Sequence, residues 1–143
     1  MEETELSTFY ASCDAPHREF FSVLVREWQQ TGLPWEIQGH VLGLCGRSVT
    51  RQDGSLCLFE LRPEQGIESA SIGMNLDTWR SWLGQEESDA FVQAVKQIDG
   101  LKHKTRGSLF MILEPGHMSG PMQQGLRDLV RRLATRLPDL IAP

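Results

Sequence analysis

The sequence lacks the features that mark secreted, membrane-spanning or disulfide-rich proteins. Its 143 residues include three cysteines, an odd number at wide spacing, which argues against a disulfide framework and predicts reduced, mostly buried thiols. No apolar run approaches the roughly 18 residues of a transmembrane helix. The first five residues include three glutamates and no basic residue, unlike the start of a secretory signal. We therefore predict a cytoplasmic protein that does not act at a membrane.

Motifs for catalysis and metal binding are also missing. Without C-x-x-C, H-E-x-x-H or H-x-H, a metal site would need the fold to assemble ligands from the four histidines and the cysteines. Cys45, near Arg47, is the best candidate nucleophile, with His40, His103 or His117 as the base. A cysteine in an apolar strand is more typical of a core. The sequence thus favours a protein that is not an enzyme, and it predicts no metal or cofactor.

Composition and charge suggest one ordinary globular domain. Hydrophobic residues make up 40% and charged residues 23% of the chain. Residues 1–70 hold 11 acidic against 5 basic residues, whereas residues 71–143 hold 8 against 9. The acidic first half argues against a nucleic-acid partner. Basic residues are concentrated between 102 and 136, where they could meet an anion or lie on the solvent face of an amphipathic helix.

Hydrophobic periodicity and turn residues predict a single α+β domain, 1–143, with a short acidic tail at about 1–13. The predicted elements are a helix capped by Asp14 and ended by Gly32, strands at about 36–50, 55–62 and 68–75, one or two helices capped by Asp77 and reaching about 98, a strand at about 108–114 and a last helix from Gly120. The first three strands form an antiparallel meander. N-terminal, middle and C-terminal helices are expected to pack against this sheet.

The register of the meander depends on the turn at Asp53-Gly54, which is a strong hairpin signal. If these are the two central turn residues, Arg47 lies opposite Glu60 and Cys45 lies opposite Arg62. A bulged loop would shift the register and remove the pair of Arg47 and Glu60.

Alternation along the meander predicts two different faces. The core-facing side carries Leu42, Leu44, Cys57, Phe59 and Leu61. The other, mixed side carries Val41, Gly43, Cys45, Arg47, Leu58, Glu60 and Arg62. Glycines on the mixed side are consistent with a groove, with a dimer surface, or with a helix packed closely on the sheet.

The strand at about 108–114 is apolar without alternation, which predicts that both of its faces are covered and that it lies inside the sheet. A short strand at about 101–105 could pair with it.

Two candidate binding sites follow from residue types. A small-molecule pocket between sheet and helices could be lined by Arg47, Glu60, Arg62, Trp79 and Trp82. The two tryptophans share a helical face with an apolar neighbour, so they could equally be core residues.

The second candidate is an anion site in the loop at 114–121, where glycines and a helix start expose backbone N–H groups. Its ligands would be Arg106, His117 and Ser119, with Lys104 as a further charged helper. The loop lacks the ending of a Walker A motif, and Ser119 could simply cap the helix.

The element order, small size and acidic isoelectric point resemble those of the class I type III secretion chaperones. The resemblance covers the element order over most of the chain and no sequence motif. Those proteins are dimeric binders of extended effector segments. The function we favour from the sequence is a non-enzymatic protein-interaction module that acts as a homodimer and uses the mixed face of the meander or the last helix to bind a protein partner or a second copy. A small-molecule binding protein and a small enzyme with a cysteine or histidine site are the alternatives.

Overall fold

The computed structural model describes residues 2–47, 55–65, 69–114 and 118–136. The elements are, in chain order, α1 (Glu2–Ala11), α2 (Ala15–Gln30), β1 (Trp35–Gln38), β2 (Val41–Arg47), β3 (Ser55–Arg62), β4 (Ala70–Met74), α3 (Leu76–Leu83), α4 (Gln85–Lys96), β5 (Lys102–Arg106), β6 (Ser108–Leu113) and α5 (Gly120–Arg136). The strands form one antiparallel sheet of order β1-β2-β3-β4-β6-β5. This confirms the predicted α+β fold, in which a three-strand meander is extended by further strands.

The acidic N-terminal segment forms helix α1 rather than a tail. Phe9 is buried and packs on Phe21 of α2, with ring centroids 6.1 Å apart, and Cys13 is buried just after the helix. Most of α1 is exposed and polar, so it has no strong amphipathic pattern. The contacts of these few apolar residues with the core are therefore what stabilises the helix.

The first predicted strand, at about 36–50, is two strands in the structure. Gly39 adopts φ +63°, a conformation that glycine tolerates, and forms the turn between β1 and β2 together with His40. The chain folds back so that Trp35 pairs with Leu44. From the sequence, a glycine inside an apolar run can belong to a strand or to a turn. The positive φ of Gly39 identifies it as a turn residue.

The predicted register between β2 and β3 is wrong. Glu60 pairs with Gly43, four positions from its predicted partner Arg47, which pairs with Ser55. Cys45 pairs with Cys57 and not with Arg62. A two-residue turn at Asp53-Gly54 requires paired residue numbers that sum to 107, whereas the observed pairs sum to 103 before Cys45 of β2 and to 102 from Cys45 onward. The predicted turn at Asp53-Gly54 itself lies outside the described residues.

A shift in register between Leu44 and Cys45 puts a bulge at Leu58 of β3. Cys57 and Leu58 therefore lie on the faces opposite to those predicted. Leu58 is fully buried, and its carbonyl oxygen accepts a hydrogen bond of 2.7 Å from the indole N–H of Trp79. Cys57 is half-buried beside Cys45 on the other face. The remaining predicted core positions, Leu42, Leu44, Phe59 and Leu61, are fully buried.

The helices bury their apolar side chains against one face of the sheet. Phe59 makes edge contacts there with Trp28 of α2 and Trp79 of α3, at centroid distances of 6.1 and 5.2 Å. Trp79 in turn contacts Phe91 of α4 at 5.2 Å. None of the helices in the described ranges has this kind of contact with the opposite face.

The middle helical segment consists of two helices separated by Gly84, which adopts φ +83°. The Asn75 side chain caps α3 in place of the predicted Asp77, because its oxygen accepts bonds from the backbone N–H groups of Asp77 and Thr78 at 3.1 and 3.3 Å. No helix in the described part of the chain is long and apolar enough to cross a bilayer.

Candidate functional site

On the face of the sheet away from the helical core, which we call the open face, one row of residues crosses all six strands. The strand pairing places them side by side in the order Glu36, Gly43, Glu60, Gly73, Phe110 and Lys104. We call these six residues the central row. With neighbouring strands about 4.8 Å apart, the row is about 24 Å long.

The charges on this face are separated along the central row. Glu36 and Glu60 lie in the half formed by β1, β2 and β3. Lys102, Lys104 and Arg106 alternate along β5 at the opposite edge, and all three are exposed. Arg62 of β3 offsets the charge of Glu60, so Glu36 at one edge and the basic residues at the other carry most of the charge difference across the strands. We call the two halves the acidic half and the basic half after these edge residues.

Phe110 and Ile112 give the basic half an apolar centre. Strand β6 lies inside the sheet as predicted, between β4 and β5. Its Leu109, Met111 and Leu113 are fully buried, whereas Phe110 and Ile112 are only half-buried. The expectation that both faces of β6 are covered is thus wrong for the second face within the described ranges, because the residues around Phe110 and Ile112 on that face all belong to strands or to Ser69.

The Phe110 ring is held between a glycine and an arginine. A Cβ added at Gly73 would lie 3.3 Å from the ring, so the ring packs directly on the backbone of β4. The guanidinium of Arg62 lies 5.8 Å from the ring centroid, and one of its nitrogens lies 3.3 Å from the Glu60 carboxylate. These contacts fix the ring in place while leaving it half-exposed.

The acidic half contains a depression of about 410 Å³ above Gly43. It is lined by Glu36, Gln38, Val41, Gly43, Cys57, Glu60, Asn75 and Thr78. A Cβ at Gly43 would lie 2.5 Å from the sulfur of Cys57, so glycine is required under the depression. The central row thus has a half-exposed aromatic ring in one half and a hollow in the other.

Cys45 and Cys57 form a disulfide across β2 and β3, where the sequence predicts reduced thiols. The bulge at Leu58 explains the difference, because it brings the two cysteines to the same face of the sheet. Burial raises the pKa of the remaining cysteine, Cys13, which keeps it an unreactive thiol.

We expect reduction of this disulfide to lower the free energy of unfolding by about 3 kcal/mol, because it releases the loop that the bond closes in the unfolded chain. Urea denaturation with and without dithiothreitol measures the effect. Cys57→Ser should remove the response to the reductant, whereas Cys13→Ser should retain it. Equal stability of the oxidised and reduced protein would contradict the expectation.

The structure brings together two of the five residues predicted for a small-molecule pocket. Glu60 and Arg62 are neighbours on the open face. Trp79 and Trp82 are buried, and Trp79 fills the space between sheet and helices. Arg47 lies at the end of β2, opposite Ser55.

Of the residues predicted for an anion site, the structure describes Ser119, Arg106 and Lys104. Ser119 accepts a hydrogen bond of 3.2 Å from the backbone N–H of Met122, as an ordinary helix cap does. Arg106 is exposed at the end of β5, Lys104 belongs to the central row, and His117 lies outside the described residues.

Basic residues of the last helix join α5 to other helices. Arg127 and Arg131 both donate to the Glu27 carboxylate of α2, the latter at 3.2 Å. Arg136 donates to Glu87 of α4 at 2.9 Å. These pairs offset much of the positive charge of α5. In the basic half of the sheet face, Lys102 likewise donates to Glu114 at 3.0 Å, so Lys104 and Arg106 carry most of the positive charge there.

A second polar cluster joins the start of α2 to the segment after β3. One ligand atom from each of Asp14, His17 and Glu64 lies within 4.8 Å of the other two. Glu64 has a raised pKa, chiefly because it shares a hydrogen bond with Asp14. The sequence names His17 as a possible ligand but neither carboxylate. The spacing of Asp14 and His17, three residues apart at a helix start, is a signal that could have identified the pair.

Comparison with known proteins assigns no family, since no protein-family model, curated protein or solved structure matches the chain.

Proposed function

We propose that the protein is a non-enzymatic interaction module that acts as a homodimer, with two copies joined through the open face of the sheet. The self-complementary order of the central row carries this proposal. From one edge to the other the row is acid, glycine, acid, glycine, aromatic and base. When the same row runs in the reverse direction on a second copy, Glu36 of one copy faces Lys104 of the other. Gly43 of one copy likewise faces the ring of Phe110 of the other.

A two-fold axis parallel to the strands, between β3 and β4, produces this reversal. It stacks β1 on β5, β2 on β6 and β3 on β4 of the second copy, so each contact occurs twice. Glu36 then faces Lys104, and Phe110 faces Gly43. An axis perpendicular to the strands would stack each strand on its own copy and place like charges together, which is unfavourable.

The shapes of the two halves support the same arrangement. The Phe110 ring of one copy would enter the depression of about 410 Å³ above Gly43 of the other. An aromatic side chain filling a pocket at the centre of an interface is the usual origin of strong binding. Covering a half-buried Phe or Ile side chain contributes about 1 kcal/mol. Phe110 and Ile112 of both copies together would contribute about 4 kcal/mol on this scale.

The positions of the candidate catalytic residues support a role without catalysis. Cys45, the candidate nucleophile, is fully buried, which keeps a substrate away from its sulfur in either redox state. The candidate bases His40 and His103 lie at opposite edges of the sheet, in the turn before β2 and in β5. They cannot act together with Cys45 in one cleft.

A cytoplasmic location remains part of the proposal. In that reducing compartment we expect Cys45 and Cys57 to occur as thiols, since structural disulfides are rare there. Thiol alkylation of protein trapped directly from cells distinguishes the two states, and full protection of both cysteines would argue against the cytoplasm.

Measurement of the mass in solution tests the dimer. Light scattering should give twice the chain mass of 16.2 kDa. Replacing Phe110 by Gln should weaken the dimer about tenfold or more, since the anchoring ring is lost. Val92→Gln, at a half-buried position on α4, is the matched control and should leave the dimer intact. A wild-type mass of 16.2 kDa at about 100 µM would overturn the proposal.

A further inference from the structure

His17 is a buried side chain with one ring nitrogen left without a partner. The residue is fully buried, and its Nε2 lies 2.7 Å from the carbonyl oxygen of Leu113. Because a carbonyl oxygen only accepts, Nε2 must carry the proton and donate it. Nδ1 then has a lone pair, and it has no hydrogen-bond partner among the described residues. A buried acceptor without a partner is costly unless it binds something else.

Asp14 occupies the N-cap position of α2 without capping the helix. Its backbone is extended, and its side chain makes no capping hydrogen bond. One oxygen of this carboxylate lies within 4.8 Å of one from Glu64. Two neighbouring carboxylates repel each other unless a proton or a cation lies between them. The Asp14 carboxylate therefore does not cap the helix, and it remains placed to bind a cation.

We propose that Asp14, His17 and Glu64 bind one divalent transition metal ion, with Zn²⁺ as the preferred ion. One imidazole nitrogen and two carboxylates form a donor set suited to Zn²⁺, which prefers an imidazole ligand more strongly than Mg²⁺ or Ca²⁺ does. The hydrogen bond from Nε2 to Leu113 is the kind that orients a metal-binding histidine. Three protein ligands leave a coordination position open for water or another small ligand.

The ion would connect two separate parts of the fold. Asp14 and His17 belong to the start of α2, whereas Glu64 follows β3. Binding to the folded chain alone stabilises it by mass action, so Zn²⁺ should raise the unfolding temperature. This site is independent of the open face, and neither proposal requires the other.

A second group of possible ligands must be separated from this one in any test. Glu36, Cys45 and Cys57 also bring three ligand atoms within 4.8 Å of one another. In the disulfide form their sulfurs are not thiolates and bind metal poorly. Titrations of the oxidised protein therefore report on Asp14, His17 and Glu64.

The decisive experiment is calorimetric titration of the oxidised, metal-free protein with Zn²⁺. We expect one ion per chain. Asp14→Asn and Glu64→Gln should each weaken binding about tenfold or more, because each variant loses a charged ligand. Glu19→Gln, an exposed position on the same helix, is the matched control and should bind like the wild type. Binding of Co²⁺, followed by visible absorption, should show nitrogen and oxygen ligation without a thiolate charge-transfer band.

Thermal unfolding provides a second, independent readout. At about one hundred times its dissociation constant, Zn²⁺ should raise the melting temperature of the wild type by about 10 °C. Asp14→Asn and Glu64→Gln should melt no lower than the wild type without metal, since each removes like-charge repulsion, yet should respond weakly to Zn²⁺.

The proposal is overturned by a wild-type protein that does not bind Zn²⁺. It is equally overturned if the double variant Asp14→Asn, Glu64→Gln binds as tightly as the wild type. A thiolate band that disappears in Cys57→Ser would place the ion at the cysteines instead.

Discussion

Two single charge reversals at opposite ends of the central row should each abolish self-association, and their mixture should restore it. Glu36→Lys gives a central row with a basic residue at both ends, and Lys104→Glu gives a central row with an acidic residue at both ends. The proposed symmetry places residue 36 of one copy over residue 104 of the other, so each homodimer of a variant contains two repulsive pairs. We expect its dissociation constant to rise about a hundredfold or more.

A one-to-one mixture of these variants should form a heterodimer with close to wild-type affinity. In that pair, the lysine introduced into one chain faces the glutamate introduced into the other. At the second contact, the native Glu36 of one chain faces the native Lys104 of the other. Both contacts are attractive again. Native mass spectrometry or light scattering of the separate and mixed samples measures the result.

The control for the charge swap is a pair of reversals on the helical side of the fold. Glu86→Lys and Lys96→Glu lie at exposed positions of α4 and alter the net charge by the same amounts. Neither should change the mass of the dimer. Mixtures of the two central-row variants that stay monomeric would exclude the proposed two-fold axis.

Replacement of Trp79 by Ala should lower the free energy of unfolding by about 5 kcal/mol, a large part of the roughly 5–15 kcal/mol typical of a domain. Trp79 is fully buried and contacts Phe59 and Phe91, each at a centroid distance of 5.2 Å. Its indole N–H also satisfies the carbonyl oxygen of Leu58 at the bulge, with a bond of 2.7 Å. The variant therefore leaves both a large cavity and an unpaired buried carbonyl.

Two Trp→Phe variants separate the hydrogen bond from the packing. Trp79→Phe loses the bond to Leu58, whereas Trp82 is buried with an indole N–H that has no partner in the described ranges. We expect Trp79→Phe to cost about 1–2 kcal/mol more than Trp82→Phe, because it alone leaves an unsatisfied acceptor. Urea denaturation followed by circular dichroism tests this, and equal costs would show that the bond at the bulge contributes little.

The sequence predicts the elements of this fold better than their alignment. Apolar periodicity locates β3, β6 and the last helix because it depends on local spacing. The register of β2 and β3 depends in part on the bulge at Leu58. That bulge is stabilised by Trp79, which lies 21 residues further along the chain. A contact at this distance leaves no periodic trace in the sequence.

The sequence likewise predicts some features of the candidate sites and not others. The mixed face of the meander can be predicted, since alternation assigns Gly43 and Glu60 to it. The pairing of Gly73 with Phe110 cannot, because it requires knowing that β6 lies beside β4. The cluster of Asp14, His17 and Glu64 depends on the path of the chain after β3, and short-range spacing shows only its first two members.

The outer strands determine what kind of assembly this sheet can form. At one edge, β1 is only four residues long, and at the other, β5 carries three evenly spaced basic side chains. Short and charged edges resist the addition of another strand from a neighbouring molecule. Growth of the sheet by strand addition is thus disfavoured at both edges, so the proposed association through the face would stop at two chains.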